Sequence, residues 1–451
     1  MADGLSSGRR RTVPIVRGVP VFDAHCHVFN LEYLLLEITQ ILWDMIRGEY
    51  PLPSEQMIED TIAVRPDFEV RSPLDAAEHF LAWILEIGFA AIGSEAAHVR
   101  ELRQNASRIW NVDRIGLVPL MMDIYFLFAP SIAEPGASKP ASGERRPPVR
   151  DPRRDARDLR VRALRKRMAR ALRKRRDSMA TESDATSLAT GRIEKLLAGV
   201  TERVLGSPAR PAWPNTPTFR SSAGFAHQFA ALSALGGRKS GVYPFFAVDA
   251  RREGAVDWVI TSGHVGPGGP FYGVKLYPRL GCHPLRPELD PLYSHCARNG
   301  IPITTHCSYG GFPDFLTSFA EYGDPASFRP IFERHPGIRI NFAHFGDRGM
   351  DSAMSDAWGR SIAELMHDFP GAYADLSCYT HQASLERFVA RFQDLPNVRE
   401  RTMFGSDFNV LYFTEPGMTL ERYYQRFLEQ FGGERLVQMA STVPAAFLGL
   451  T

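Results

Sequence analysis

Eight short β-rich runs, each closing on polar or ionisable residues and most followed by a helical pattern, set the strongest limit on what this 451-residue chain can fold into. They are VPVFDAH (19–25), IGLVPLMMD (115–123), VYPFFAVD (242–249), FYGVKLYP (271–278), IPITTH (301–306), IRINFAHF (338–345), AYADLS (372–377) and RTMFGSD (401–407). Between the last six lie DPLYSHCARNG, SFRPIFERHPG, AWGRSIAELMHDFPG and SLERFVARFQ, with apolar residues three and four apart and several Gly or His-Pro-Gly stops. Strands alternating with helices imply parallel pairing, and eight such units predict a (β/α)8 barrel of the TIM type. A doubly wound open sheet would string the polar residues along a line. Their clustering at strand C-terminal ends favours a barrel, whose loops surround one site.

Two stretches interrupt the alternation. Residues 30–112 begin with LEYLLLEITQILWDMIRG and predict a helical elaboration after the first strand. Residues 129–222 are rich in Pro, Arg, Ser and Ala and poor in large apolar side chains, which predicts an insertion without its own core. The domain reading is therefore a flexible leader over 1–18 and one barrel over 19–451, interrupted by these two segments.

The net charge of +2 conceals an asymmetry. Residues 144–176 hold sixteen Lys and Arg against four acids, a net +12, which leaves −10 for the rest. ARDLRVRALRKRMARALRKRR within this segment predicts a basic helix with a thin stripe of Leu159, Val161, Leu164, Met168 and Leu172. Nucleic acid or an anionic surface is a possible partner for such a face. The preferred reading is a solvated excursion that docks loosely or stays disordered, docking on the acidic body of this chain or on a second copy in a homo-oligomer included. No run of eighteen apolar residues predicts a transmembrane segment, and the basic N-terminus lacks the apolar stretch of a secretory signal. Five scattered cysteines without a CxxC pair predict reduced thiols and a cytoplasmic protein.

The first strand ends Asp23-Ala-His25-Cys26-His27. Alternate residues of a strand share a face, so His25 and His27 can converge on one point while Cys26 turns away. Two neutral imidazoles supply adjacent corners of a zinc coordination shell. Strand five ends in His306, strand six in His344 and strand eight in Asp407, and a closed barrel brings these ends to one mouth. Taken singly, His306 or His344 could be a buried histidine bonded to a carbonyl, and Asp407 a helix cap.

The order HxH, His, His, Asp resembles the amidohydrolase superfamily. FDAHCHVF, FFAVDARR, GVKLYPRLGCHP, PITTHCS, FAHFG, MFGSDF and the closing STVPAAFLGL resemble its amidohydrolase 2 branch, which includes hydrolases and metal-dependent decarboxylases. The resemblance covers 19–30 and about 241–451, and neither interruption. It implies His25, His27, His306 and Asp407 as ligands of one divalent metal, zinc first, with His344 beside it. Such a metal lowers the pKa of its water to about 7. Asp407 would pass a proton to the leaving group and His344 would steady the oxyanion or steer the water.

Lys275, near the end of strand four, is read in two ways. In some binuclear relatives a carboxylated lysine bridges two metals there; in the favoured single-metal reading it acts on the substrate. Lys275 and Arg279 suit a substrate carboxylate or phosphate, or else pair with Asp249 or Asp375. Tyr277, Ser308 and Arg251 complete the expected substrate contacts, and Asp123, Asp249, Ser377, Tyr309 and Tyr379 lie at or just past strand ends. The function expected is a metal-dependent hydrolase that cleaves an amide, lactone or ester bond of a small molecule. The alternatives are non-oxidative decarboxylation of an aromatic or unsaturated acid and an inactive barrel whose basic arm binds nucleic acid or membrane.

Overall fold

A computed structural model describes residues 20–28, 31–47, 95–110, 112, 115–127, 219, 221–237, 239–311, 319–347, 352–408, 410–411 and 418–450. The leader, residues 48–94 of the helical elaboration and nearly all of the 129–222 insertion, its basic segment included, lie outside the described residues.

The eight strands are β1 (Val21–Cys26), β2 (Ile115–Pro119), β3 (Phe245–Val248), β4 (Gly273–Leu276), β5 (Ile303–Thr305), β6 (Ile340–Phe342), β7 (Ala372–Asp375) and β8 (Thr402–Met403). Every pairing between them is parallel: β1 with β2, then β3 through β8 in sequence order. Backbone hydrogen bonds join the two sheets at both seams. At one, Leu117 N donates to Gly241 O, Tyr243 N to Leu117 O and Met121 N to Phe245 O, at 2.8–3.0 Å. At the other, Ala24 N donates to Phe404 O, Asp407 N to His25 O and His27 N to Phe408 O, at 2.8–3.1 Å. The ring of eight is thus closed, as the alternating pattern predicts. The strands are shorter than their apolar runs because the runs continue into the loops at the mouth.

Between and around the strands run α1 (Leu31–Arg47), α2 (Glu95–Trp110), α3 (Ala223–Leu235), α4 (Ala255–Thr261), α5 (Asp290–Asn299), α6 (Arg329–Arg334), α7 (Ser352–Asp368), α8 (Gln382–Arg391), α9 (Pro396–Arg401), α10 (Leu420–Ala440) and α11 (Thr442–Leu448). The four crossover helices expected between the later strands are α5 to α8. Their ends follow local chemistry: α5 stops at Gly300, whose φ of 61° is the left-handed cap glycine adopts without a Cβ clash. Nearly every strand residue is buried, as expected of parallel strands covered on both faces.

Two apolar clusters fill the body. The larger holds the outward strand residues and the helices, among them Val21, Cys26, Phe246, Trp258, Phe342 and Phe427. The smaller, with Phe22, Ala24, Leu120, Phe245 and Met403, is closed by Val443, Phe447 and Leu448 of α11. Val21 and Cys26 share the outer cluster although they are five residues apart, an odd spacing that regular alternation forbids. The register shift between Asp23 and Cys26 reverses the parity. That bulge sends Cys26 outward while His25 and His27 reach the site.

Candidate metal centre

His25 Nε2 and His27 Nε2 each lie 3.2 Å from the same oxygen, Asp407 Oδ1. All three side chains are buried, and their ligating atoms fall within 4.8 Å of one another. His27 Nδ1 lies 2.9 Å from Leu120 O, so that nitrogen carries the proton and Nε2 presents its lone pair. His25 Nδ1 lies 3.0 Å from Asp375 Oδ2, with the same consequence. Two lone pairs therefore face one carboxylate oxygen. His25 Nε2 and Asp407 Oδ1 are buried without a hydrogen-bond partner among the described residues. Orphaned acceptors of this kind are costly unless something cationic satisfies them. The 3.2 Å separations match the edge, about 3.3 Å, of a tetrahedral shell with zinc–nitrogen bonds of about 2.0–2.1 Å. The residues present fit a divalent metal.

Electrostatics support the same donors. Burial depresses the pKa of His27, and burial with the neighbouring charges holds His306 well below its ordinary value. Burial brings His344 down to about 4. These rings are neutral at pH 7, the state a ligand requires. For His25, burial acts in the same direction but Asp375 and Asp407 outweigh it, and its pKa is raised. Asp407 stays ionised because the two histidines overcome the cost of its burial.

His306 stands elsewhere than a simple four-ligand set requires. Its Nε2 lies 2.8 Å from Gly310 O and its Nδ1 lies 3.3 Å from His344 Nε2. His344 Nδ1 lies 3.0 Å from Ser377 O and carries the proton. If His306 donates from Nε2, two lone pairs meet between the rings, a second place suited to a shared cation. His306 is thus next to the His25–His27–Asp407 group by way of His344, whose ring centroid is 5.0 Å from that of His25.

Lys275 is buried, with Nζ 5.9 Å from the Tyr277 ring centroid and no carboxylate at ion-pair distance among the described residues. Burial lowers its pKa to about 8 against the pull of Asp375 and Asp407. The Tyr277 ring packs 4.5 Å from that of His306. Arg279 is 2% exposed and lies beneath Gly311, where an added Cβ would come 2.6 Å from Tyr277 Oη and 2.8 Å from Arg279 Nη1. The missing Cβ of Gly311 thus permits close cover over both side chains. Ser308 Oγ donates to Asp347 O at 2.7 Å. Arg251 is held by Asp249, with Nη2 2.6 Å from Oδ2, and also donates to Leu280 O. The partners proposed for Lys275 and Arg279 are therefore engaged otherwise: Asp249 with Arg251 and Asp375 with His25. Asp123 receives both Nε and Nη2 of Arg252. Tyr379 is buried, and Tyr309 is half-buried on the loop after β5.

Three supports of the site lie outside the set expected from the sequence. Asp23 receives Ser406 N at 2.9 Å and the Ser406 hydroxyl, which ties β1 to the turn that carries Asp407. Asn341 donates to Asp375 at 2.7 Å. His344 and Asp407 have φ of 61° and 57°. Each such backbone costs about 1–3 kcal/mol, and strain of this kind collects at functional sites. The signal available for Asp23 and Asp375 was a carboxylate inside an otherwise apolar strand.

Residues 230–437, a little under half of the chain, match the family model described as amidohydrolase. His25 and His27 precede the matched stretch and join it through the β1–β8 seam. The sequence matches no curated protein. Solved structures similar to the chain include amidohydrolase 2 from Bifidobacterium longum subsp. infantis, at 16% identity and TM-score 0.29, over 40% of this chain and 62% of that one. A probable 2-pyrone-4,6-dicarboxylic acid hydrolase from Acinetobacter baumannii, with citric acid bound, gives 14% and 0.37 over 49% and 78%. A dihydroorotase from Campylobacter jejuni gives 14% and 0.28 over 47% and 66%. The chain thus spans under two thirds of the first of these.

Proposed function

We propose that this chain is a metal-dependent hydrolase that cleaves an amide, lactone or ester bond of a small molecule. One observation carries the reading: His25 Nε2 and His27 Nε2 converge on Asp407 Oδ1, and two of these three buried atoms have no hydrogen-bond partner among the described residues. His25, His27 and Asp407 would hold one divalent ion, zinc by preference for this nitrogen and oxygen set, with His306 or His344 completing it. When bound, the ion supplies Lewis acidity that makes water a nucleophile near neutral pH.

The chain's own residues do the rest. The free oxygen of the Asp407 carboxylate accepts a proton from the attacking water and returns it to the leaving group. His344, neutral and fixed by Ser377 O, stands beside His25 to steer the water or steady developing negative charge. Lys275, Tyr277 and Arg279 form a basic wall beside His306 that suits a carboxylate on the substrate, with Ser308 and Arg251 further out. The same wall favours a second reading, non-oxidative decarboxylation of an aromatic or unsaturated acid.

Zinc-loaded protein assayed against a panel of lactones, cyclic amides, esters and aromatic acids tests both. Hydrolysis that falls at least a hundredfold in Asp407→Ala supports the first reading. Carbon dioxide release in its place transfers the site to the second, and turnover unaffected in Asp407→Ala rejects the assignment. No described helix is long and apolar enough to cross a membrane. All five cysteines are present as thiols, in keeping with a proposed cytoplasmic location.

A further inference from the structure

Asp375, at the C-terminal end of β7, is fully buried and takes five hydrogen bonds, every one from a donor. Its Oδ2 accepts from His25 Nδ1 at 3.0 Å and from Asn341 Nδ2 at 2.7 Å. Its Oδ1 accepts from Ser377 N at 3.0 Å, His344 N at 3.1 Å and the Ser377 hydroxyl. These donors come from the ends of β1, β6 and β7, so one carboxylate ties three strand ends around the candidate centre.

The hydrogen-bond directions have a consequence for two rings at once. The Ser377 hydroxyl has one proton, and it goes to Asp375. Its oxygen, 2.9 Å from both His25 Nδ1 and His344 Nδ1, can then only accept from those rings. Both Nδ1 atoms must therefore carry protons, which in the neutral rings leaves both Nε2 atoms as lone pairs. The ligating atoms of His25, His344 and Asp375 lie close enough to hold a cation. Ser377 Oγ already fills the middle of that group, which makes it a device for orienting the rings.

We propose that Asp375, acting with Ser377, is the positioning residue of the centre: it locks His25 and His344 in their Nδ1–H tautomers and so aims both Nε2 lone pairs at the metal side. The proposal rests on the reading of His25, His27 and Asp407 as metal ligands. It also predicts why an amide cannot serve in place of the carboxylate. In Asp375→Asn the NH2 group meets N–H donors at either position. The less strained placement is at Oδ2, where it donates to Asn341 Oδ1 once that amide turns, an atom buried without a partner among the described residues. There it also donates to His25 Nδ1, which drives the proton to His25 Nε2 and removes the lone pair.

The test uses the full chain, zinc as the probe and two readouts. Competition with a chelator should show zinc affinity 10–100-fold weaker in Asp375→Asn, the usual loss for an orienting partner of a metal-bound histidine, while thermal melting remains cooperative. Nitrogen-15 histidine spectra of metal-free protein, assigned with His25→Gln, should show His25 as Nδ1–H in the wild type and Nε2–H in Asp375→Asn. Ser377→Ala, which keeps the carboxylate, should leave His25 as Nδ1–H. Wild-type zinc affinity in a folded Asp375→Asn, or an Nε2–H tautomer for His25 in the wild type, overturns the proposal. The wild-type spectrum decides the matter if Asp375→Asn fails to fold. A wild type that binds no zinc overturns the metal assignment instead, while the tautomer of His25 still judges Asp375.

Discussion

Glu37 of α1 is fully buried between α1 and the start of α3, where Oε1 accepts the Ser222 hydroxyl at 2.7 Å and Oε2 accepts Phe225 N at 3.2 Å. Burial above all, with Asp123 adding, raises its pKa from the ordinary 4.5 to about 7, against the opposing pull of Arg252 and the two hydrogen bonds. A carboxyl whose folded pKa exceeds its unfolded value binds more protons folded than unfolded between the two values. Stability then falls as pH rises from about 4.5 to about 7 and is level beyond. At about 1.4 kcal/mol per unit, this costs the folded chain about 2–3 kcal/mol between pH 5 and pH 8. Glu37→Gln removes the titration. Its amide can accept from Phe225 N through oxygen and donate to Ser222 Oγ through nitrogen, so both contacts survive. Denaturant unfolding of both proteins at pH 5, 6, 7 and 8 should show the variant gaining about 2–3 kcal/mol on the wild type across that range. A difference between them that stays constant within about 0.5 kcal/mol refutes the reasoning.

Two further substitutions probe the frame. An added Cβ at Gly405 would stand 2.7 Å from His25 Cβ and 3.1 Å from Ser377 Cβ, so Gly405→Ala should part β8 from β1. It should cost about 1–3 kcal/mol in denaturant unfolding and weaken zinc binding in titration; unchanged values for both would show that the seam yields freely. Asp123→Ala leaves the buried Arg252 guanidinium without its two-pronged partner. It should cost about 3–5 kcal/mol by the same method, and a loss under about 1 kcal/mol would contradict the burial argument.

The eight strands and their order could be read from the residues because parallel strands covered on both faces are written as continuous apolar runs. His25, His27 and Asp407 were legible for a related reason: ionisable groups at the ends of such runs have few other places to go than the barrel mouth. The means by which β1 presents them was not. Simple alternation puts His25 and His27 together but also puts Cys26 with Phe22 and Ala24; the bulge separates them, and a bulge depends on pairing with β2. His306 and His344 both follow strand ends, the first expected as a ligand and the second beside the metal, but their partners are not written in the chain: the turn at Gly310 claims Nε2 of the first, and Ser377 O claims Nδ1 of the second. A carboxylate inside an apolar strand marks Asp375 but not its role, since its donors come from residues as far apart as His25 and Ser377.

The central claim is that His25, His27 and Asp407 hold a divalent metal. Elemental analysis of purified full-length protein after dialysis against zinc tests it most directly, repeated on the His25→Ala, His27→Ala double variant. The account predicts about one tightly held ion per wild-type chain and its loss in the double variant with the fold retained by circular dichroism. A wild-type chain without bound metal, or a double variant with the same metal content, would contradict it.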